Sequence, residues 1–235
     1  MANFPSTSWS LVVAAAANPP DSRSSLAAIC KTYWPPVYAF VRRAGYDPDH
    51  AEDLTQGFFA TMLEKNYLGD ADRERGRFRT FLLAAVKHFL ANEWDKQQAL
   101  KRGGGQAAVS IDPVEAEEWY APEAVEARTP ETLFARAWAF SLLGQVMTKL
   151  RAEYAALGKV DYFDKLAQLL DGDPAATGYE ALASELGATS GALRVSVHRM
   201  RRRYRELLRA ELAESVSTTE QINEEIRFLL AALRV

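Results

Sequence analysis

Apolar residues recur every three or four positions along most of this chain, and convincing alternation at period two is almost absent, so the pattern predicts an all-α fold. A first segment, Trp9 to Ala17, ends at Asn18-Pro19-Pro20. Its apolar run from Leu11 has no basic region before it and is too short to cross a bilayer, which reads as a buried helix. A second helix is expected from about Ser24 to Arg43, kinked or split at Pro35 and Pro36, before the turn Gly45-Tyr46-Asp47-Pro48. Asp47 or Asp49 can cap a third helix to about Asn66, in which Ala51, Leu54, Phe58, Met62 and Lys65 keep helical spacing. A polar loop, Gly69 to Gly76, leads into a long helix from about Arg77 to Leu100, ended by Gly103-Gly104-Gly105.

From Asp112 to Glu131 seven acids face only Arg128, with three prolines interspersed, which predicts an extended or weakly ordered linker. Thr129-Pro130 then starts a helix in which Phe134, Trp138, Leu142, Val146 and Leu150 fall four apart, and a second core is expected to begin there. A helix around Tyr162 to Leu170 stops at Asp171-Gly172-Asp173-Pro174. Tyr179 to Leu186, a turn at Gly187 and a long helix from about Gly191 to Ala213 make a helix-turn-helix pattern. In the tail, Ser217 and Glu220 stand at capping-box spacing, and Ile222, Ile226, Leu229, Leu230 and Leu233 form one apolar face.

The 235 residues suffice for one or two domains, and 48% hydrophobic with 25% charged residues is the balance of a folded protein. Cys30 stands alone and His50, His88 and His198 lack metal-ligand spacing, so neither a disulfide, a metal nor another cofactor is expected, and a reducing cytoplasm fits best. A net charge of −3 excludes a uniformly basic coat, so contact with nucleic acid must rest on local patterning.

Such patterning is present. Between Ser190 and Ala210 seven arginines meet one glutamate. On a helical wheel Leu193, Val197, Met200, Tyr204, Leu207 and Leu208 form a buried stripe, and Arg194, His198, Arg201, Arg202, Arg205 and Arg209 a cationic flank. A basic helix after a tight turn can enter the major groove, its early residues reading bases and its later ones holding phosphates; a solvated face is the plainer alternative. Asp49, Glu52, Asp53 and Gln56 beside Phe58 and Phe59 can dock a helical partner or merely cover a core. No histidine, cysteine or metal cluster accompanies these acids, so a catalytic carboxylate pair, and an enzyme, are not expected. From Arg77 to Lys96, Arg79, Lys87, His88, Asn92 and Lys96 interleave with Phe78, Phe81, Phe89 and Trp94, the mixture that suits single-stranded nucleic acid; Phe78, Phe81 and Phe89 can equally be core, and Trp94 is the more open position.

In this order, the acidic helix, the aromatic-basic helix, the acidic linker and the helix-turn-helix resemble the extracytoplasmic-function sigma factors of bacterial RNA polymerase. Ala51-Glu52-Asp53-Leu54-Thr55-Gln56 with Phe58-Phe59 looks like region 2.2, Phe78 to Lys96 like regions 2.3 and 2.4, and Tyr179 to Leu208 like region 4. The resemblance covers about residues 24 to 102 and 131 to 213. It divides the chain into an N-terminal extension (1–23), a region 2 domain (24–105), the linker (106–130), a region 4 domain (131–213) and a helical tail (214–235). It implies a promoter-recognising initiation factor that binds core RNA polymerase, at the β′ clamp helices and the β subunit, through Asp49, Glu52, Asp53, Gln56 and Phe59. It further implies minus-10 contacts from Arg79, Lys87, His88, Asn92 and Lys96, and minus-35 contacts from Arg194, His198, Arg199, Arg202 and Arg203. Gly57 stands where the family usually carries an acid, His88 where an Asn is common and Asn92 where an Asp is usual. The Trp9-Ser10-Leu11 start and the Ile222 to Leu233 tail look like a subgroup with C-terminal extensions, often associated with serine/threonine kinases. With Gly57 lacking the acid, Thr55 first and Thr61 second are expected phosphosites switching polymerase binding on. An anti-sigma factor is another possible partner, and no membrane is. The rival readings are a free-standing helix-turn-helix regulator with a sensor or dimerisation domain, and an all-α adaptor that binds only proteins.

Overall fold

The computed structural model describes residues 21–65, 77–101, 129–170, 176–216 and 218–234, and every regular element among them is a helix. The all-α expectation holds. None of these helices is long and apolar enough to cross a membrane. The N-terminal segment, the loop at 69–76 and the linker at 106–128 lie outside the described residues.

The first helix, α1 (Asp21–Arg43), passes through Pro35 and Pro36 without splitting. Each proline withholds a backbone donor and crowds the preceding turn. Burial of the turns that follow, with Val37, Tyr38, Phe40 and Val41 each no more than 5% exposed, offsets that cost. Between α1 and α2 (Pro48–Glu64), Gly45 takes φ +103°, which a residue with a Cβ rarely adopts. Asp47 then caps α2: its carboxylate accepts from the His50 backbone N–H at 3.1 Å, and Pro48 fills the first helical position. The two His50 hydrogen bonds hold the Asp47 carboxyl below its usual range.

The remaining helices are α3 (Phe78–Lys101), α4 (Pro130–Ala156), α5 (Val160–Ala167), α6 (Ala176–Leu186), α7 (Ser190–Ser215) and α8 (Thr219–Arg234). Thr129 caps α4 through its hydroxyl, which accepts from Thr132 N–H at 3.3 Å. α8 is capped reciprocally by Thr218 and Gln221, each side chain accepting the other's backbone N–H at 3.2 Å. This box closes one residue beyond the spacing of Ser217 and Glu220.

The chain forms two compact units, one from residues 1–142 and 212–235, the other from residues 143–211. The division falls within α4 and within α7. At 27 residues α4 extends about 40 Å, long enough to serve two cores. Its stripe does so: Phe134, Trp138 and Leu142 are buried within the first unit, and Leu150 joins the core of the second.

In the first unit α1, α2 and α3 pack through Tyr33, Phe58, Met62, Leu82 and Val86, with Tyr33 edge-on to Phe78 at 5.3 Å. Leu229 and Ala232 of α8 are buried as well. The second unit packs Leu150, Phe163, Leu166, Tyr179, Leu193, Val197 and Met200 from α4 to α7 into one core. Between α6 and α7, Gly187 sits at φ +60°, Ala188 N–H returns to the Ala183 carbonyl at 2.9 Å, and the Thr189 hydroxyl accepts from Ala192 N–H at 3.2 Å. One helix is thus ended and the next begun within a few residues.

Candidate nucleic-acid interface

Leu193, Val197 and Met200 anchor α7 in its core, each at most 1% exposed, which turns the opposite side of the helix to solvent. Arg194, Val195, His198, Arg199 and Arg202 all lie exposed there. The Arg194 guanidinium rests over the Tyr179 ring, 4.7 Å from its centroid, so its direction is set by the core beneath it. Arg201 turns back to donate to the Leu169 carbonyl at 2.7 Å.

Arg203, expected among the DNA contacts, lies on the flank towards α4. It donates to both Glu153 oxygens at 2.6 and 2.9 Å and to Glu206 at 3.2 Å, and the Glu153 and Glu206 carboxylates push its pKa well above the usual value. Its charge is spent within the unit. Arg194→Ala is therefore expected to relax base preference by about 1–3 kcal/mol, and Arg202→Ala, whose guanidinium meets Glu206 at 3.1 Å but stays 75% exposed, to lower the salt slope by up to about 1. Arg203→Ala should leave both near wild type, as binding to a randomised duplex library across a salt series would reveal.

In the first unit, α2 and α3 bound a cleft of about 450 Å³ lined by Thr61, Lys65, Phe81, His88, Phe89, Asn92 and Lys96. Three of the five residues expected at the minus-10 element thus converge: His88, Asn92 and Lys96, at i, i+4 and i+8 on one face of α3. The cleft's two aromatic walls can stack a base, and its rim carries Lys65 and Lys96 against Glu64 and Glu93, with Lys96 paired to Glu93 at 2.6 Å. Trp94 is 55% exposed. Lys87 pairs instead with Glu131 at 2.6 Å and holds that carboxyl below its ordinary value.

Arg79 is only 8% exposed. It forms an ion pair with Glu225 of α8 and lies over the rings of Trp138 at 5.0 Å and Phe228 at 4.1 Å. Burial pulls its pKa down while Glu225 pushes it up. Sequence reasoning missed Glu225, itself 1% exposed. The available signal was an acid within the apolar stripe, three residues after Ile222 and four before Leu229.

The acidic helix is divided in the same way. Asp49 is exposed and Asp53 and Gln56 are half-buried, whereas Glu52 and Phe59 are buried, Phe59 stacking on Trp34 at 5.7 Å. Glu52, Thr55 and Phe59 share an inward face at i, i+3 and i+7. Thr55 is fully buried and donates its hydroxyl proton to the Ala51 carbonyl at 2.7 Å, so a kinase reaches it only if α2 opens; Thr61 is half-buried at the cleft. Gly57 faces Phe89, where an added Cβ would lie 3.5 Å from the ring, so a longer side chain must turn past it.

The chain matches no protein-family model, no curated protein and no solved structure.

Proposed function

We propose that this chain is a transcription initiation factor of the sigma type, which binds core RNA polymerase and selects promoters. The observation that carries the reading is the outward cationic face of α7, set by a buried stripe and a tight turn at Gly187. A helix so presented suits a major groove, with Arg194 and Val195 near bases and Arg202 near a phosphate. Val195, 50% exposed among cations, suits contact with a thymine methyl. The cleft with His88, Asn92 and Lys96 suits an unpaired base of the minus-10 strand, and Asp49, Asp53 and Gln56 suit a basic helical surface of the polymerase. No chemical step is assigned to the chain.

Run-off transcription with purified core polymerase on a genomic promoter pool tests this reading. Initiation at a restricted promoter set, dependent on the chain, is the expected result. Dimeric binding to duplex DNA without polymerase would instead make it a free-standing regulator, and polymerase binding without any DNA crosslink would make it an adaptor. Asp53→Arg is expected to weaken association with core by about tenfold or more, since charge reversal at a complementary patch sets like charges together. A pull-down against a core titration measures it, and unchanged retention would remove α2 from the interface.

A further inference from the structure

The geometry points to a second nucleic-acid site in the first unit, formed by Arg77, Arg79 and Trp138 and occupied by α8 as an internal substitute for a single strand. This inference rests on the nucleic-acid reading above but concerns residues that the proposed cleft does not use.

The contacts that hold α8 are those a nucleotide would make. Glu225 pairs with both Arg77 and Arg79, and Glu224 accepts from Arg77 Nη2 at 2.8 Å. Phosphate oxygens take arginine donors in the same way. The Phe228 ring covers the Arg79 guanidinium, 4.1 Å from its centroid, on a site whose other aromatic wall is Trp138. Exposed bases stack on arginine planes and indoles in this manner. Acid and ring come from one helix, at i, i+1 and i+4, while the receiving groups are Arg77 just before α3, Arg79 of α3 and Trp138 of α4.

A buried ion pair is a poor device for fixing a helix permanently, because desolvation offsets much of the attraction and an apolar pair would hold as well. It does suit exchange, since an incoming phosphate can replace the carboxylate without leaving Arg79 buried and uncompensated. The rest of the hold is apolar, with Ile222, Ile226 and Leu233 half-buried and Phe228 against Trp138 at 5.8 Å. Only Leu229 and Ala232 accompany Glu225 among the buried residues of α8, while Phe228 and Leu230 stay 36% and 48% exposed.

Binding of a labelled single-stranded oligodeoxynucleotide of mixed sequence to the full chain tests this, read by fluorescence anisotropy and by hydrogen exchange of the α8 amides. In the wild type, α8 should exchange faster once the oligonucleotide saturates the protein. If the open form is about 0.1–10% populated, Glu225→Gln should tighten binding by about 10- to 1,000-fold, and adding Arg79→Gln should remove that gain. Unchanged protection of α8 at saturation overturns the site, as does a folded Glu225→Gln protein that binds no tighter. Should that variant not fold, exchange in the wild type still decides. Release of α8 by polyglutamate but not by the oligonucleotide would overturn the ligand class. If α8 stays protected while the chain still directs promoter-specific initiation, this site falls and the initiation-factor reading stands; if α8 opens but core polymerase is never bound, the reverse holds.

Discussion

Glu225→Ala is expected to lower the stability of the first unit by about 1–4 kcal/mol, because it strips the counter-charge from a buried arginine and the loss is limited to what holds α8 closed. Arg79 is 8% exposed and covered by two aromatic rings, so water cannot readily replace the lost carboxylate. Glu225 carries almost no exposure of its own, so its charge is inside the structure and not at a rim. The double substitution Arg79→Met with Glu225→Leu should recover most of the loss, since an apolar pair of similar volume avoids both desolvation costs. Urea unfolding followed by tryptophan fluorescence, to which Trp138 beneath Arg79 contributes, measures both variants. Equal stability of Glu225→Ala and wild type would show that α8 contributes little to the unit.

The second large effect is expected at Tyr179. Its side chain is 3% exposed, belongs to the core of the second unit and carries the Arg194 guanidinium on its ring. Tyr179→Ala should cost about 3–5 kcal/mol, in the range of other large aromatic deletions. It should also blur base preference at the position Arg194 reads, because that side chain loses the surface that directs it. Tyr179→Phe keeps the ring and is expected to stay within about 1.5 kcal/mol of wild type with base preference intact. Thermal unfolding and a randomised duplex library separate the two consequences. If Phe proves as damaging as Ala, the hydroxyl and not the ring is what matters.

Much of this arrangement was legible because its causes are local. The Asp47-Pro48 and Thr129-Pro130 starts, the Gly187 turn and the stripe of Leu193, Val197 and Met200 each arise within a few residues, where capping chemistry and helical period act directly. The same holds for His88, Asn92 and Lys96, which one helix face gathers by spacing alone. The burial of Arg79 was not legible, for the opposite reason. Its basic character pointed to solvent, but its partner lies 146 residues away, and no periodicity connects two such positions. Glu52 and Phe59 turned inward because α1 packs against that side of α2, which a charge pattern on one helix does not reveal. The division inside α4 was hidden too, since a continuous apolar stripe looks the same whether it meets one core or two.

The separation of Arg79 from Glu225 has a consequence for how the protein is made. At about 5–20 residues per second on the ribosome, the 146 positions between them take roughly 7 to 30 s to synthesise. The whole of the second unit, residues 143–211, is translated within that interval and can fold first. Until α8 emerges, Arg79 waits without its carboxylate, beside an indole that other chains can also reach. A nascent chain halted in this window should therefore draw on chaperones more heavily than one halted after Arg234.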